Sequence, residues 1–335
     1  MSGLAVPLDH IERLCDGHGL HEHANGTTPR PEHGYCTDDN ARLLVLLTRL
    51  PATATTNRLS LLALQFVLGA QDTAGRTRNR MNREGWWIDQ AATDDCWGRS
   101  AWALGATAVH HPDAFVRLRA ERGFALALRQ RSRWMRATAF AVLGAADVLG
   151  HEPSHPAARL FLADALTQIG PPLRASWPWP EERLTYANAS VAEAVIAAGT
   201  ALGRADEVER GLLLLRWLID QQMTDGHLSV VGSTGRAAGD ATPQFDQQPI
   251  EVAALADACS RALAVTGDRT WTAGIAAAAA WFDGANDAGL VMHDATSGGG
   301  YDGLHRNAVN RNQGAESTLA YLTTSLRARQ LAAAR

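Results

Sequence analysis

The sequence predicts an all-α protein, an (α/α)6 toroid in which inner and outer helices alternate along the chain. Six times a polar segment leads into an Ala- and Leu-rich stretch with helical periodicity, and amphipathic stretches lie between these repeats. Strand-like runs are scarce: Leu228–Val231 and Gly289–Met292 are short and flanked by Gly or Asp. No linker rich in Ser, Gly or Pro divides the chain, so we expect one domain over residues 1–335.

The stretches that follow the polar segments carry little charge after their first turn. Helices packed on both sides need such a surface, so we predict that these are the inner helices. Their polar starts are Tyr35–Arg42, Thr93–Arg99, Ser132–Arg136, Leu184–Ser190, Gln244–Glu251 and Arg311–Glu316.

The intervening stretches have Arg and Glu on one face and apolar residues at i, i+3 and i+4 on the other. This pattern is typical of surface helices, so we predict that they form the outer layer. They lie near residues 7–15, 58–71, 115–131, 157–169, 205–222 and 269–283.

Composition excludes several classes of protein. The apolar fraction of 46% argues against disorder, and the net charge of −4 gives no reason to expect nucleic acid as a partner. No window is apolar enough for a membrane span, and no signal-peptide pattern opens the chain, so we expect a cytoplasmic protein. The four cysteines lack metal or redox spacing and His21-Glu22-His23 lacks a second ligand pair, so we expect neither a metal nor another cofactor.

The polar starts should converge in space. Inner helices of alternating hairpins run in one direction, so their amino termini share one end of the toroid, where the helix dipoles favour carboxylates. Glycosidic bond cleavage needs two carboxyl groups, and flat aromatic rings with amides suit sugar faces and hydroxyls. We predict that an oligosaccharide or polysaccharide is bound by Tyr35, Asp94, Asp95, Trp97, Trp134, Trp177, Trp179, Glu182, Tyr186, Asn188, Asp246, Gln247, Tyr301, His305, Gln313 and Glu316.

Structural explanations compete with this prediction. An Asp at a helix start is a favoured N-cap, which explains Asp38 or Asp94 as well as catalysis does. An isolated Trp packs in a core more often than it recognises a ligand, although Trp177 and Trp179 share a Pro-rich loop with two acids.

Four segments resemble a family of bacterial (α/α)6 glycosidase-like proteins, found alone or attached to glycosyltransferase modules. They are His33–Arg42, Ser176–Asn188, Gln247–Glu251 and Asn312–Ser317. The resemblance implies hydrolysis, without a cofactor, of internal α-(1→4)-mannosidic bonds in a cytoplasmic polysaccharide such as methylmannose polysaccharide.

The same resemblance implies roles for three acids. Glu251 is the expected general acid, and Asp38 or Asp39 is the expected base that activates water, with inversion expected by analogy with other toroids. Three alternatives stay open. They are a sugar epimerase that uses paired histidines, a uronate lyase that uses arginines such as Arg42 and Arg99, and a glycan-binding module without catalysis.

Overall fold

The computed structural model describes residues 6–334; residues 1–5 and 335, which the single-domain prediction includes, lie outside the described residues. Over the described range the chain forms twelve α-helices. They are α1 Asp9–Leu14, α2 Thr37–Thr48, α3 Ala54–Ala70, α4 Asp95–His110, α5 Ala114–Ala127, α6 Met135–His151, α7 Pro156–Ile169, α8 Ala189–Leu202, α9 Ala205–Gln222, α10 Pro249–Thr266, α11 Thr272–Phe282 and α12 Ala315–Ala333, with short 3-10 helices at Pro31–His33 and Arg269–Trp271.

The even-numbered helices form a closed inner ring. Each contacts the next one along the chain, and α12 returns to contact α2. The odd-numbered helices form the outer layer, with α3, α5, α7, α9 and α11 each packed on the inner helix that precedes it and α1 packed on α12. The predicted (α/α)6 toroid is therefore confirmed. Helix α3 begins at Ala54, earlier than periodicity indicated, because Thr53 and Thr56 form a reciprocal capping box.

Strands occur only as two-residue antiparallel pairs within the loops of the described chain. The pair Tyr35–Cys36 with Arg80–Met81 attaches the start of α2 to the loop before α4, and Arg183–Leu184 pairs with Arg236–Ala237 across two other long loops. The remaining pairs are Ala24–Asn25 with Thr28–Pro29, Met223–Thr224 with His227–Leu228, His293–Asp294 with Gly299–Gly300, and Gly303–Leu304 with Val309–Asn310.

Helices α4 and α6 pack backbone to backbone because glycines line their contact. A Cβ atom on Gly98 would lie 2.1 Å from the carbonyl oxygen of Ala137, and one on Gly144 would lie 2.5 Å from that of Ala101. These separations are far below van der Waals contact, so any side chain at either glycine would push the helices apart. The first turns of α4 and α6 are therefore held side by side at the end of the toroid where the predicted site lies.

Two further findings concern the whole described chain. No helix within residues 6–334 is both long enough and apolar enough to cross a membrane. All four cysteines are unpaired thiols, as the spacing predicts.

Candidate active site

Two neighbouring cavities open at the end of the toroid where the inner helices begin. The first cavity, of about 370 Å³, is lined by Asp38, Asp39 and Glu316 among others. The second cavity, of about 260 Å³, is lined by Glu251 and by the loop that contains Val231–Gly235. Gln248 lines both cavities, so they are adjacent. The acids from the starts of α2, α10 and α12 thus face one open region.

Asp39 forms part of the wall of the first cavity. The sulfur of Cys36, the N-cap residue of α2, accepts from the Asp39 backbone N–H, so the acids are not needed as caps. The Asp39 carboxylate accepts from the Cys36 thiol at 3.0 Å and from Arg42 at 2.5 Å. Burial raises the pKa of Asp39 to about 6, although the Arg42 cation opposes that change.

Asp38 is more accessible than Asp39, with 17% of its side chain exposed. One carboxylate oxygen accepts from the side-chain amide of Asn79 at 2.9 Å, and the other lies 3.3 Å from Nε of Arg99. Asn79 is itself held by Asp89, which accepts from its backbone N–H at 2.6 Å. Asp38 is therefore oriented by two neighbours and still reaches the cavity.

Buried arginines connect the acids of different helices. Arg42 of α2 binds Asp39 and also Glu316 of α12, at 2.6 Å. Arg99 of α4 approaches Asp38 and stacks on the Phe140 ring, with its Cζ 3.8 Å from the ring centroid. Arginines of α2 and α4 therefore hold the carboxylates of two inner helices, α2 and α12, in fixed positions relative to one another.

Glu251 has a neutral neighbour instead. It lies in the first turn of α10, behind Pro249, and is 3% exposed. Its Oε2 accepts from the Asn188 side-chain amide at 2.8 Å, and its buried Oε1 has no hydrogen-bond partner among the described residues. Burial raises the pKa of Glu251 to about 7, although the Asn188 hydrogen bond and the more distant Arg136 favour the charged form. A carboxyl group in this setting holds a proton near neutral pH and can donate it.

The consecutive acids at the start of α4 orient two aromatic side chains. Asp94 is the N-cap residue of α4 but makes no capping hydrogen bond; its carboxylate accepts from Trp134 Nε1 at 2.9 Å. Asp95 accepts from the Tyr186 hydroxyl at 2.7 Å. Burial raises the pKa of Asp95, although Arg99 and the Tyr186 hydrogen bond oppose it.

Four predicted aromatic residues are buried outside both cavities. The Tyr35 hydroxyl donates to Asp16, and Trp97 Nε1 donates to a backbone carbonyl oxygen. Trp177 and Trp179 pack against Trp217 of α9, with ring centroids 5.0 and 5.8 Å from it. The structure therefore places these four rings in packing positions, because partners distant in sequence cover them.

The predicted amides have structural contacts. Asn188 supports Glu251, Gln247 is buried and donates to Asp287, and buried Gln313 accepts from Ser297 at 2.6 Å. None of these three amides lines either cavity.

The other predicted binding residues lie outside both cavities. Asp246 and His305 pair with each other on the surface, and Glu182 pairs with Arg174 at 3.1 Å. Tyr301 lines a separate surface cavity. The structure does not bring these side chains to the catalytic candidates.

Several cavity residues were not predicted. Gln248 is the most central of them, and a signal for it existed: Gln247 lies in extended backbone, where the next side chain points the opposite way. The other unpredicted residues of the first cavity include Glu22, Arg80, Asp302 and Ser317. Glu22, Arg80 and Asp302 reach it from the segments between helices, whose folding no local pattern indicates, and Ser317 lies in the first turn of α12.

One group in the first cavity has the spacing of a metal site. Ligand atoms of Glu22, Cys36 and Asp39 all lie within 4.8 Å of one another. In the structure Arg80 pairs with Glu22 and Arg42 pairs with Asp39, so positive charge already neutralises both carboxylates. The absence of a metal requirement stays a prediction.

Solved structures resemble the chain over nearly its whole length. The cellobiose 2-epimerase from Bacillus thermoamylovorans matches with a TM-score of 0.73 and 10% identity, over 97% of this chain and 96% of that chain. A sugar epimerase from a ruminal bacterium matches with a TM-score of 0.69 and 13% identity, over 96% and 95%. An α-amylase from Clostridium perfringens matches with a TM-score of 0.60 and 12% identity, over 97% of each chain.

At these identities the likeness shows the fold alone. The neighbours are carbohydrate-active enzymes, and they include both epimerases and a glycosidase on the same toroid. No protein-family profile matches the sequence, and no curated protein matches it. The choice between these chemistries therefore depends on the side chains of the site itself.

Proposed function

We propose that this chain is a glycoside hydrolase that cleaves internal α-(1→4)-mannosidic bonds of a polysaccharide. The observation that carries the proposal is geometric: Glu251, which is buried with one oxygen unpaired, and Asp38, which is partly exposed, line two adjacent cavities. Glycosidic hydrolysis requires two carboxyl groups, one that donates a proton and one that accepts a proton from water.

In the proposed reaction Glu251 transfers its proton to the glycosidic oxygen as the bond from that oxygen to the anomeric carbon breaks. Asp38 accepts a proton from a water molecule, whose oxygen forms the new bond to the anomeric carbon. The products are two sugars with free hydroxyls, and proton exchange with solvent restores both carboxyl groups. Water attack on the face opposite the leaving oxygen inverts the anomeric configuration.

Asp38 suits the role of base better than Asp39. Asp39 is only 2% exposed, and each of its oxygens already accepts a hydrogen bond, one from Cys36 and one from Arg42. Asp38 lines the first cavity with 17% of its side chain exposed, so a water molecule can reach it. Asp39 then serves to position Arg42.

The epimerase alternative is less well supported by the side chains, since that chemistry on this toroid uses paired histidines at the inner-helix starts. Within residues 6–334, His23 is the single histidine that lines either cavity, and the first turns of the inner helices contain no histidine. Acids occupy the first turns of α2, α4, α10 and α12 instead.

The sugar and the linkage come from the sequence resemblance. Within the glycosidase-like family, the chain is similar to the mycobacterial endo-α-mannosidase that acts on methylmannose polysaccharide. The proposed activity is therefore that of an intracellular endo-α-mannosidase without a cofactor.

Product analysis tests the proposal. We expect purified protein to convert α-(1→4)-linked manno-oligosaccharides into shorter ones, with NMR showing first-formed β-anomers. Unchanged chain length with an altered configuration at C2 of the reducing sugar would identify an epimerase and refute hydrolysis. A panel of α- and β-linked glucans and mannans serves as the control for linkage.

Paired substitutions test the choice of base. We expect Asp38→Asn to lower kcat by about 10²- to 10⁴-fold, since a positioned base contributes a factor of this size. Asp39→Asn should lower kcat less and reduce thermal stability more, because it leaves the buried Arg42 with Glu316 alone. The reverse ranking in kcat would assign the base to Asp39.

A further inference from the structure

Two aromatic rings near the starts of neighbouring inner helices are exposed and yet held by hydrogen bonds. Trp134 is 48% exposed and Tyr186 is 41% exposed, although large aromatic side chains are usually buried to a greater extent. They project from the starts of α6 and α8, which are neighbours in the inner ring. We call these two residues the aromatic shelf.

The hydrogen bonds of the shelf leave its rings free to bind a ligand. Asp94 and Asp95 accept from the edges of the rings, at Trp134 Nε1 and at the Tyr186 hydroxyl, so they orient the rings without covering their faces. Asp94 does so although its position at the N-cap of α4 would allow it to cap the helix.

Arginines occupy one side of each ring. The Cζ of Arg133 lies 4.3 Å from the Trp134 ring centroid, and that of Arg136 lies 5.8 Å from the Tyr186 ring centroid. A cation on one face of a flat ring leaves the opposite face as the open surface. An open aromatic face of this kind suits the C–H surface of a pyranose ring.

The shelf is continuous with the candidate active site. Tyr186 lines the second cavity together with Glu251, and Arg136 joins the two, since it donates to the Tyr186 carbonyl oxygen and to Asn188, which holds Glu251. Trp134 lines neither cavity, but its anchor Asp94 is next in sequence to Asp95, the anchor of Tyr186, so the two rings belong to one stretch of surface.

We propose that the aromatic shelf binds sugar residues beyond the scissile bond, and that the ligand is therefore an oligosaccharide or polysaccharide chain and not a disaccharide. This inference rests on the proposed function, because it places the scissile bond at Glu251. It adds that affinity increases with chain length and that the increase depends on Trp134.

Calorimetric binding to a variant that does not cleave its ligand tests the shelf. The probes are α-(1→4)-linked manno-oligosaccharides of two, four, six and eight residues, titrated into Glu251→Gln protein. We expect affinity to rise with length, and Trp134→Ala in this background to lower affinity for the octasaccharide about tenfold while changing disaccharide affinity less than twofold. Tyr186→Phe, which keeps the ring but loses the bond to Asp95, should cause a loss of about threefold.

A matched control removes a large exposed ring at the other end of the toroid. Phe115 is 67% exposed in the first turn of the outer helix α5, and Phe115→Ala should leave every affinity unchanged. Asp94→Asn, which keeps the indole and weakens its anchor, should reproduce part of the Trp134→Ala loss. Affinity that does not rise with length, or a Trp134→Ala loss that is equal for short and long ligands, would overturn the shelf.

The binding test of the shelf and the test of hydrolysis can fail independently. If Trp134-dependent binding occurs while wild-type protein leaves the oligosaccharides intact, the shelf stands and hydrolysis is wrong. If wild-type protein hydrolyses them while Trp134→Ala keeps the wild-type dependence on chain length, hydrolysis stands and the shelf is wrong.

Discussion

The two ends of the toroid use similar residues in opposite ways. At the end where the inner helices begin, Glu251 contacts the neutral Asn188 and keeps one oxygen unpaired beside a cavity. Toward the other end, Asp257 of α10 lies between two cations, Arg49 at 3.0 Å and Arg327 at 2.7 Å. Both acids are almost fully buried and both belong to α10.

Their pKa values change in opposite directions. Burial raises the pKa of Glu251 to about 7. Burial also favours the neutral form of Asp257, but Arg49 and Arg327 outweigh it and lower the pKa of Asp257. Burial alone therefore does not identify a catalytic acid. Both acids also border a cavity, so the neutral partner of Glu251 is the feature that distinguishes it as a candidate for proton transfer.

The largest expected effect is a loss of activity when Glu251 is replaced. Glu251→Gln should lower kcat by about 10²- to 10⁴-fold, because the amide cannot donate the proton that the leaving oxygen needs. The midpoint of thermal unfolding should stay near that of wild type, since the amide can still accept from Asn188. Wild-type turnover in this variant would remove Glu251 from the mechanism.

The matched substitution, at Asp257, should lower stability and leave activity nearly unchanged. Asp257→Asn leaves Arg49 and Arg327 buried with their charges uncompensated, so we expect the free energy of unfolding to fall by about 3–5 kcal/mol. Urea unfolding measures this loss. In protein that stays folded kcat should change only slightly, and a large loss of kcat without a loss of stability would contradict the contrast between the ends.

The contributions of Glu251 and Asp257 to stability should also change with pH in opposite directions. Glu251 has a raised folded-state pKa, so its contribution to stability is present below about pH 4.5 and is lost as pH rises through about 7. Activity should decline over the same upper range as the proton is lost. Asp257 has a lowered folded-state pKa, so its contribution is present above about pH 4 and is lost as pH falls further.

Measurement of unfolding free energy against pH checks both signs. In Glu251→Gln the loss of stability between about pH 4.5 and 7 should become smaller, while the loss at acid pH should remain. An unchanged slope would show that Glu251 does not hold its proton in the folded protein.

The fold and the acids at the helix starts were predictable because the relevant signals are local. Helical periodicity and polar helix starts predict both layers and place Asp38 and Glu251 at one end of the toroid. The side chains that contact each acid were not predictable, since Arg99, which approaches Asp38, and Asn188, which binds Glu251, come from other parts of the chain. Trp177 and Trp179 show the same limit, because Trp217, which packs against them, lies in the next hairpin and the sequence between them does not indicate the contact.

The close contact of α4 with α6 has a consequence for the position of Trp134. Gly98 lies one turn after Asp94, and Ala137, which it touches, lies one turn after Trp134. The separation between the acid and the indole is thus set by a missing methyl group. Even the smallest side chain at position 98 would push α6 away from α4 and move the indole from its anchor, so Gly98 fixes the position of a ring that belongs to another helix.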